Sequence, residues 1–204
     1  VYKDRPLIKV KPLNIGDHTD SALKTCNRLN DFIYQVYTGL EIHDVNSNRI
    51  KRGVHPLNCV VTQRAGSPRI VKSFSDLYGM KGLVIASGNV YKGLSVYVGM
   101  DFIKFSDTRD AKSDYSARIN EAIKQLDFYD FIHVHTKMPD ESAHKKDPIY
   151  KKKIIECLDA AVNETVKPLL ENGDVVLVVA ADHSTASSGG LIHSGEPVPI
   201  MIHG

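Results

Sequence analysis

The run Val175–Ala181 constrains this chain more than any other feature. Seven consecutive apolar residues end without transition on Asp182-His183. A run of that length, bounded by Gly173-Asp174 on one side and a charged pair on the other, reads as a strand buried on both faces. It is the longest apolar stretch in the 204 residues and falls well short of the roughly 18 needed to span a membrane. A carboxylate and an imidazole at the mouth of such a strand need partners, because an unpaired charge there is costly.

Other segments repeat the theme. Gly82–Ser87, Phe131–His135 and Pro197–Ile202 read as strands, and Leu94–Val98 as a strand or helix start. Asp114–Leu126 has helical character, and Pro148–Leu170 contains a long helix. Apolar strands alternating with helices predict an α/β fold with a mostly parallel, helix-covered sheet. Ligands of such sheets bind at the carboxyl ends of the strands. Upstream the pattern is less regular. Leu23, Cys26, Leu29, Phe32/Ile33, Val36/Tyr37 and Leu40 recur at helical spacing, predicting a helix from about Asp20 to Leu40 with Asp17, Thr19 or Asp20 as its cap. Glu41–Arg52 is polar and basic, a loop or solvated helix end. Leu57–Thr62 reads as a short strand and Gly66-Ser67-Pro68 as a turn. The change in pattern divides the chain into residues 1–72 and 73–204.

Composition excludes several function classes. Lys and Arg number 26 against 24 Asp and Glu, a net charge of +2 without the basic excess of a nucleic-acid binder. Val1–Pro12 is basic and punctuated, with no apolar core of a signal peptide. Cys26, Cys59 and Cys157 are few, odd in number and far apart, which fits a reducing, cytoplasmic setting.

Three polar clusters follow predicted strands: His133–His144, Ala181–Thr185 and His193–Pro199. Together they hold five of the nine histidines. Asp140 and His144 are four residues apart and share a face if they open a helix. Asp182 and His183 follow the buried run directly, and His193 lies in a Gly/Ser-rich loop able to fold back over them. A lone Asp-x-x-x-His is more often a surface pair than a ligand pair. The conjunction of all three clusters points to a mixed oxygen and nitrogen site for a divalent metal, suited to manganese, zinc or another transition ion. His133 and His135 alternate along a strand and would face one side, as in some barrel-type metal hydrolases. Ordinary packing or hydrogen-bonding histidines are the preferred reading, since Asp140 and His144 follow so closely. An isolated arginine such as Arg64, or a lysine such as Lys92 before Gly93, is usually solvated. The lysines at 145, 146 and 151–153 read as a solvated helix face.

These motifs, in this order, resemble the C-terminal half of the cofactor-independent phosphoglycerate mutases of the archaeal type, within the alkaline phosphatase superfamily. The resemblance is carried by Asp130–His135, Pro139–His144, Ala181–Thr185 and His193–Pro199. Upstream it extends through Leu57–Gly66, Ser73-Phe74, Tyr78–Gly82 and Val90–Gly93. It implies that Asp140, His144 and His193 hold one divalent metal and that Asp182 and His183 help to hold a second. The metal itself stays open among manganese, zinc, cobalt and magnesium. Lys92 would contact the transferred phosphate or the substrate, and Arg64 would reach the substrate from a smaller inserted α+β domain of which residues 1–72 are part. The activity implied is interconversion of 3-phosphoglycerate and 2-phosphoglycerate through a phosphoserine.

The nucleophilic serine and a second-metal aspartate of that family are expected upstream of Val1, and Ser184 does not occupy the family's nucleophile position. The chain therefore reads as part of a longer enzyme, with an incomplete core sheet, a missing N-terminal portion as its partner, and exposed apolar surface compatible with a homo-oligomer. Other members of the superfamily, such as a phosphopentomutase, phosphatase or sulfatase, and an inactive metal-binding module are the alternatives.

Overall fold

The computed structural model describes residues 9–13, 19–62, 66–67 and 69–204. The chain divides into two compact units, Val1–Pro68 and Arg69–Gly204.

The described elements of the first unit are helices. Helix α1 (Asp20–Glu41) starts where Thr19 Oγ1 accepts a hydrogen bond from the Ala22 amide, so Thr19 is the cap; Asp17 lies outside the described residues. Cys26 and Ile33, two turns apart, are the residues of α1 that are buried. The polar stretch after it forms α2 (Asp44–Lys51). The strand expected at Leu57–Thr62 does not form: the segment is irregular. The backbone groups of Leu57 are taken by a side chain from α2 instead. The buried Asn46 side chain donates to the carbonyls of Leu40 and Leu57 and accepts from the Leu57 amide at 2.7 Å. A side-chain amide thus satisfies backbone groups that a ladder would otherwise pair. The expected turn ends on Pro68, which lies outside the described residues.

The second unit is α/β. After α3 (Phe74–Tyr78), opened by a Ser73–Asp76 capping box, the chain enters β1 (Gly82–Ala86). Strand β1 lies at the centre of a three-stranded parallel sheet of order β2-β1-β3, with β2 at Asp101–Lys104 and β3 at Phe131–Val134. All five β1 residues are buried, as a central parallel strand with both faces covered must be. Helix α4 (Asn89–Tyr97) connects β1 to β2, so Leu94–Val98 is helix and then turn. Helix α5 (Ala111–Lys124) leads to β3. Leu83 and Ile85 pack with Ala122, Ile132 and Val134, and Val134 also touches the cluster of Ile119, Val166 and Leu169. Full burial of each large aliphatic side chain contributes about 1.5–3 kcal/mol.

Downstream come α6 (Met138–His144), α7 (Pro148–Thr165) and the short α8 (Lys167–Leu170). The apolar run yields β4 (Leu177–Ala180), which pairs antiparallel with β7 (Ile200–His203) as a separate two-stranded sheet. Leu177 and Val175 pack inward on the Ile119 cluster, while Val176, Val178, Ile200, Met201 and Ile202 are exposed. Between β4 and β7 lies a hairpin of β5 (Ser184–Thr185) and β6 (His193–Ser194). No helix among the described residues is long and apolar enough to cross a membrane.

Candidate metal centre

Helix α6 supplies the first two groups. Asp140 and His144 lie one turn apart, which places Asp140 Oδ1 3.3 Å from His144 Nε2. The β5–β6 hairpin supplies the third. Its register sets His193 opposite Thr185, and His193 Nε2 comes to 3.4 Å from the same Asp140 oxygen and 3.5 Å from His144 Nε2. Three donor atoms therefore form a nearly equilateral triangle. An ion about 2.1 Å from three tetrahedrally disposed donors holds them about 3.4 Å apart. One carboxylate oxygen and two imidazole nitrogens at this spacing fit a divalent transition metal in both size and chemistry.

His183 stands beside the triangle. Its ring stacks on His193 with centroids 4.2 Å apart, and Asp140, His183 and His193 also offer ligand atoms all within 4.8 Å of one another. The Asp140–His144–His193 set is the tighter of the two. Asp182 Oδ2 lies 3.4 Å from His183 Nε2, and the Asp182 side chain is largely exposed. The pair from the end of β4 thus sits next to the α6 and β6 donors.

Thr185 is a buried residue to which the sequence reading assigned no role. Its hydroxyl donates to Asp140 Oδ1 at 2.9 Å and lies 3.1 Å from His183 Nδ1. The hydroxyl has one proton. With that proton given to Asp140, the contact with His183 requires Nδ1–H to donate, which leaves Nε2 as a lone pair. One threonine thereby orients both a carboxylate and an imidazole tautomer. Burial favours the protonated form of Asp140, but the Thr185 hydrogen bond and the imidazoles of His144, His193 and His183 outweigh it and lower the carboxyl pKa. The signal in the sequence was present: Thr185 and His183 are separated by two residues, the period that returns side chains to one face.

His133 and His135 are elsewhere. Their rings stack at 5.7 Å on one side of β3, and Tyr91 packs on His135 at 4.1 Å. His135 Nε2 is buried without a hydrogen-bond partner. Burial, with help from His133, lowers the His135 pKa to about 4; packing pushes His133 the same way, although its ring is partly open to solvent. Beneath them the fully buried Arg118 donates to the His135 carbonyl and to Asp107, which also accepts from Ser87. Lys92 lies exposed on α4, and no hydrogen bond or ion pair among the described residues joins it to the Asp140 cluster. Arg64 lies outside the described residues. Lys146 and Lys151, expected on a solvated face, instead donate to carbonyls of the β5–β6 hairpin and its loop.

Residues 14–204 match the model of the Metalloenzyme superfamily. The chain belongs to that superfamily. Among its curated relatives, 2,3-bisphosphoglycerate-independent phosphoglycerate mutase 2 of Methanocaldococcus jannaschii is 38% identical over 207 residues, an alignment covering 100% of this chain and 45% of the relative. The mutase of Methanoculleus marisnigri is 34% identical, covering 96% and 47%. A solved structure of a cofactor-independent phosphoglycerate mutase from Thermoplasma acidophilum superposes with a TM-score of 0.58 at 25% identity, over 97% of this chain and 46% of that one. A Pyrococcus horikoshii protein gives a TM-score of 0.77 at 27% identity, over 90% and 48%. This superfamily member thus spans about half the length of the relatives it matches.

Proposed function

We propose that this protein acts in a metal-dependent phosphoglycerate mutase, interconverting 3-phosphoglycerate and 2-phosphoglycerate without a bisphosphoglycerate cofactor. The observation that carries the reading is the Asp140–His144–His193 triangle, with Asp182 and His183 beside it. On this reading Asp140, His144 and His193 hold one divalent ion and Asp182 and His183 contribute to a second. The mixed carboxylate and imidazole donors of the first set suit zinc, cobalt or manganese better than magnesium, which prefers oxygen ligands and water. Bound ions neutralise phosphoryl charge and align the attacking and leaving oxygens.

This chain's own residues do the rest. Thr185 holds the Asp140 carboxylate and the His183 tautomer, and the stack of His183 on His193 fixes both rings. We assign Arg64 to the substrate carboxylate or phosphate, for which a planar guanidinium is suited, and Lys92 to the phosphate. The phosphoryl group is carried by a serine in the part of the relatives' length that this chain does not span. Residues 1–72 belong to an inserted substrate-binding domain and 73–204 to the metal-binding core, and the enzyme works in the cytoplasm.

Conversion of 3-phosphoglycerate to 2-phosphoglycerate by the full-length enzyme to which these 204 residues belong, followed with and without chelator, tests the reading, and the 204 residues alone are expected to be inactive. Chelation is expected to abolish turnover, zinc, cobalt or manganese to restore it, and a quenched sample to carry phosphoserine. Unchanged turnover in chelator, or hydrolysis of phosphate esters without isomerisation, would overturn it.

A further inference from the structure

The loop between β5 and β6 has to deliver His193 to Asp140 although its large apolar residues, Leu191 and Ile192, are exposed. It runs Ala186-Ser187-Ser188-Gly189-Gly190-Leu191-Ile192. Serine and glycine give a chain wide conformational freedom, so something outside the hairpin must hold it. Two lysines do so. Lys146 Nζ donates to the Ala186 carbonyl at 2.9 Å and to the Leu191 carbonyl at 2.5 Å, which joins the two ends of the loop. Lys151 Nζ donates to the Thr185 carbonyl at 2.7 Å. The neighbouring lysines act otherwise: Lys145 lies over the Tyr150 ring and Lys152 pairs with Glu156.

The backbone supplies a second observation. Among the described residues Lys146 is the one non-glycine with positive φ, at 57°. It forms the turn between α6, which carries Asp140 and His144, and Asp147, the cap of α7. A side chain at that φ is strained, and glycine would adopt it freely. The strain is offset by two charge-assisted hydrogen bonds that only an extended cationic side chain could make there.

We propose that Lys146, assisted by Lys151, is a positioning residue that fastens the β5–β6 loop to the α6–α7 turn and so sets His193 within ligating distance of Asp140 and His144. The ammonium is not a ligand; it acts on the carbonyls that flank the hairpin. The inference rests on the metal reading given above.

The decisive variant is Lys146→Gly, which keeps the turn conformation and removes the ammonium. Zinc or cobalt affinity is measured by competition titration, beside the thermal midpoint and the rate of proteolytic cleavage within residues 187–190. Affinity is expected to fall about 10- to 100-fold, as for other groups that orient metal ligands. The loop should be cut faster, with a thermal midpoint equal to or above that of the parent. Lys146→Arg should recover part of the loss. Parent affinity in Lys146→Gly overturns the anchor and leaves the metal reading standing. Failure of the parent protein to bind metal through Asp140 overturns both. If Lys146→Gly does not fold, Lys151→Met decides: a smaller loss of affinity, about threefold to tenfold, supports the anchor, and none overturns it.

Discussion

Two groups of histidines sit near strand ends of this unit and behave in opposite ways. His144, His183 and His193 gather around Asp140 with polar atoms 3.3–3.5 Å apart in the tightest set. His133 and His135 stack on each other, with Tyr91 packed against His135 and a buried arginine below. The first group is surrounded by acceptors and has lone pairs to offer. In the second, His135 is crowded by cations and apolar surface and its Nε2 has no partner. Neighbours, not residue type, decide whether an imidazole is a ligand candidate or a packing element. Asp182 alone acts on both, raising the proton affinity of His133 and His135 while lying beside His183.

The sharpest way to break this contrast is Asp140→Asn. Divalent-metal affinity is expected to fall by more than about 100-fold, since a neutral amide replaces the one carboxylate of the triangle, and circular dichroism should stay native. Metal held as tightly as before would dissolve the distinction between the groups.

Arg118→Met tests the other side. It leaves Asp107 and the His135 carbonyl without their shared donor. Breaking a fully buried pair costs about 3–5 kcal/mol; Asp107 is 37% exposed, so about 2–3 kcal/mol is expected in denaturant melts. Metal affinity should stay within about threefold, because the loss is in folding rather than ligation. A large drop in affinity would mean that the two groups form one network.

A smaller effect is expected from pH. The His135 pKa is about 4 against an ordinary 6.5. The unfolded chain therefore binds a proton that the folded chain does not between those values. Stability from this source is fully present above pH 6.5 and declines as pH falls towards about 4. His135→Phe keeps the ring stack and removes the titration, so its stability should decline less steeply with acid; an unchanged slope would place the effect on other groups.

The smallest effect belongs to Lys152→Ala. Its pair with Glu156 at 3.4 Å is exposed on both sides, so stability should shift by no more than about 0.5 kcal/mol and metal affinity not at all. Loss of metal affinity here would show that general positive charge, rather than the aim of Lys146 and Lys151, supports the site.

Periodicity made much of the fold legible. The α1 helix, the fully apolar β1, the α5 and α7 helices and the strands β3, β4 and β7 all lie where runs or helical spacing predict them. Strand β2 escaped because Asp101–Lys104 has ionic ends and only two apolar residues between them. The failed strand at Leu57–Thr62 has the opposite cause: its apolar composition was right, but the Asn46 side chain met its pairing groups from a distance in sequence. Of the site, Asp140 and His144 could be read from helical spacing. Thr185 shares a face with His183, a two-residue period open to reading, whereas Lys146 and Lys151 could not be read, since a lysine gains such a role only from what lies across the fold.

Although the apolar β4 is only half-buried and β7 is exposed, the sequence by itself determined which side chains offer metal-ligating atoms and where most helices and strands form. Both follow from local chemistry and from periods of two and 3.6 residues. Tertiary structure decided which donors meet. His193 lies opposite Thr185 across a hairpin with two-residue strands and a seven-residue loop, beside which Lys146 and Lys151 donate to backbone carbonyls. Those contacts join residues 34–49 positions apart, and pairings at that separation are fixed by packing and hydrogen-bond satisfaction rather than by any local pattern.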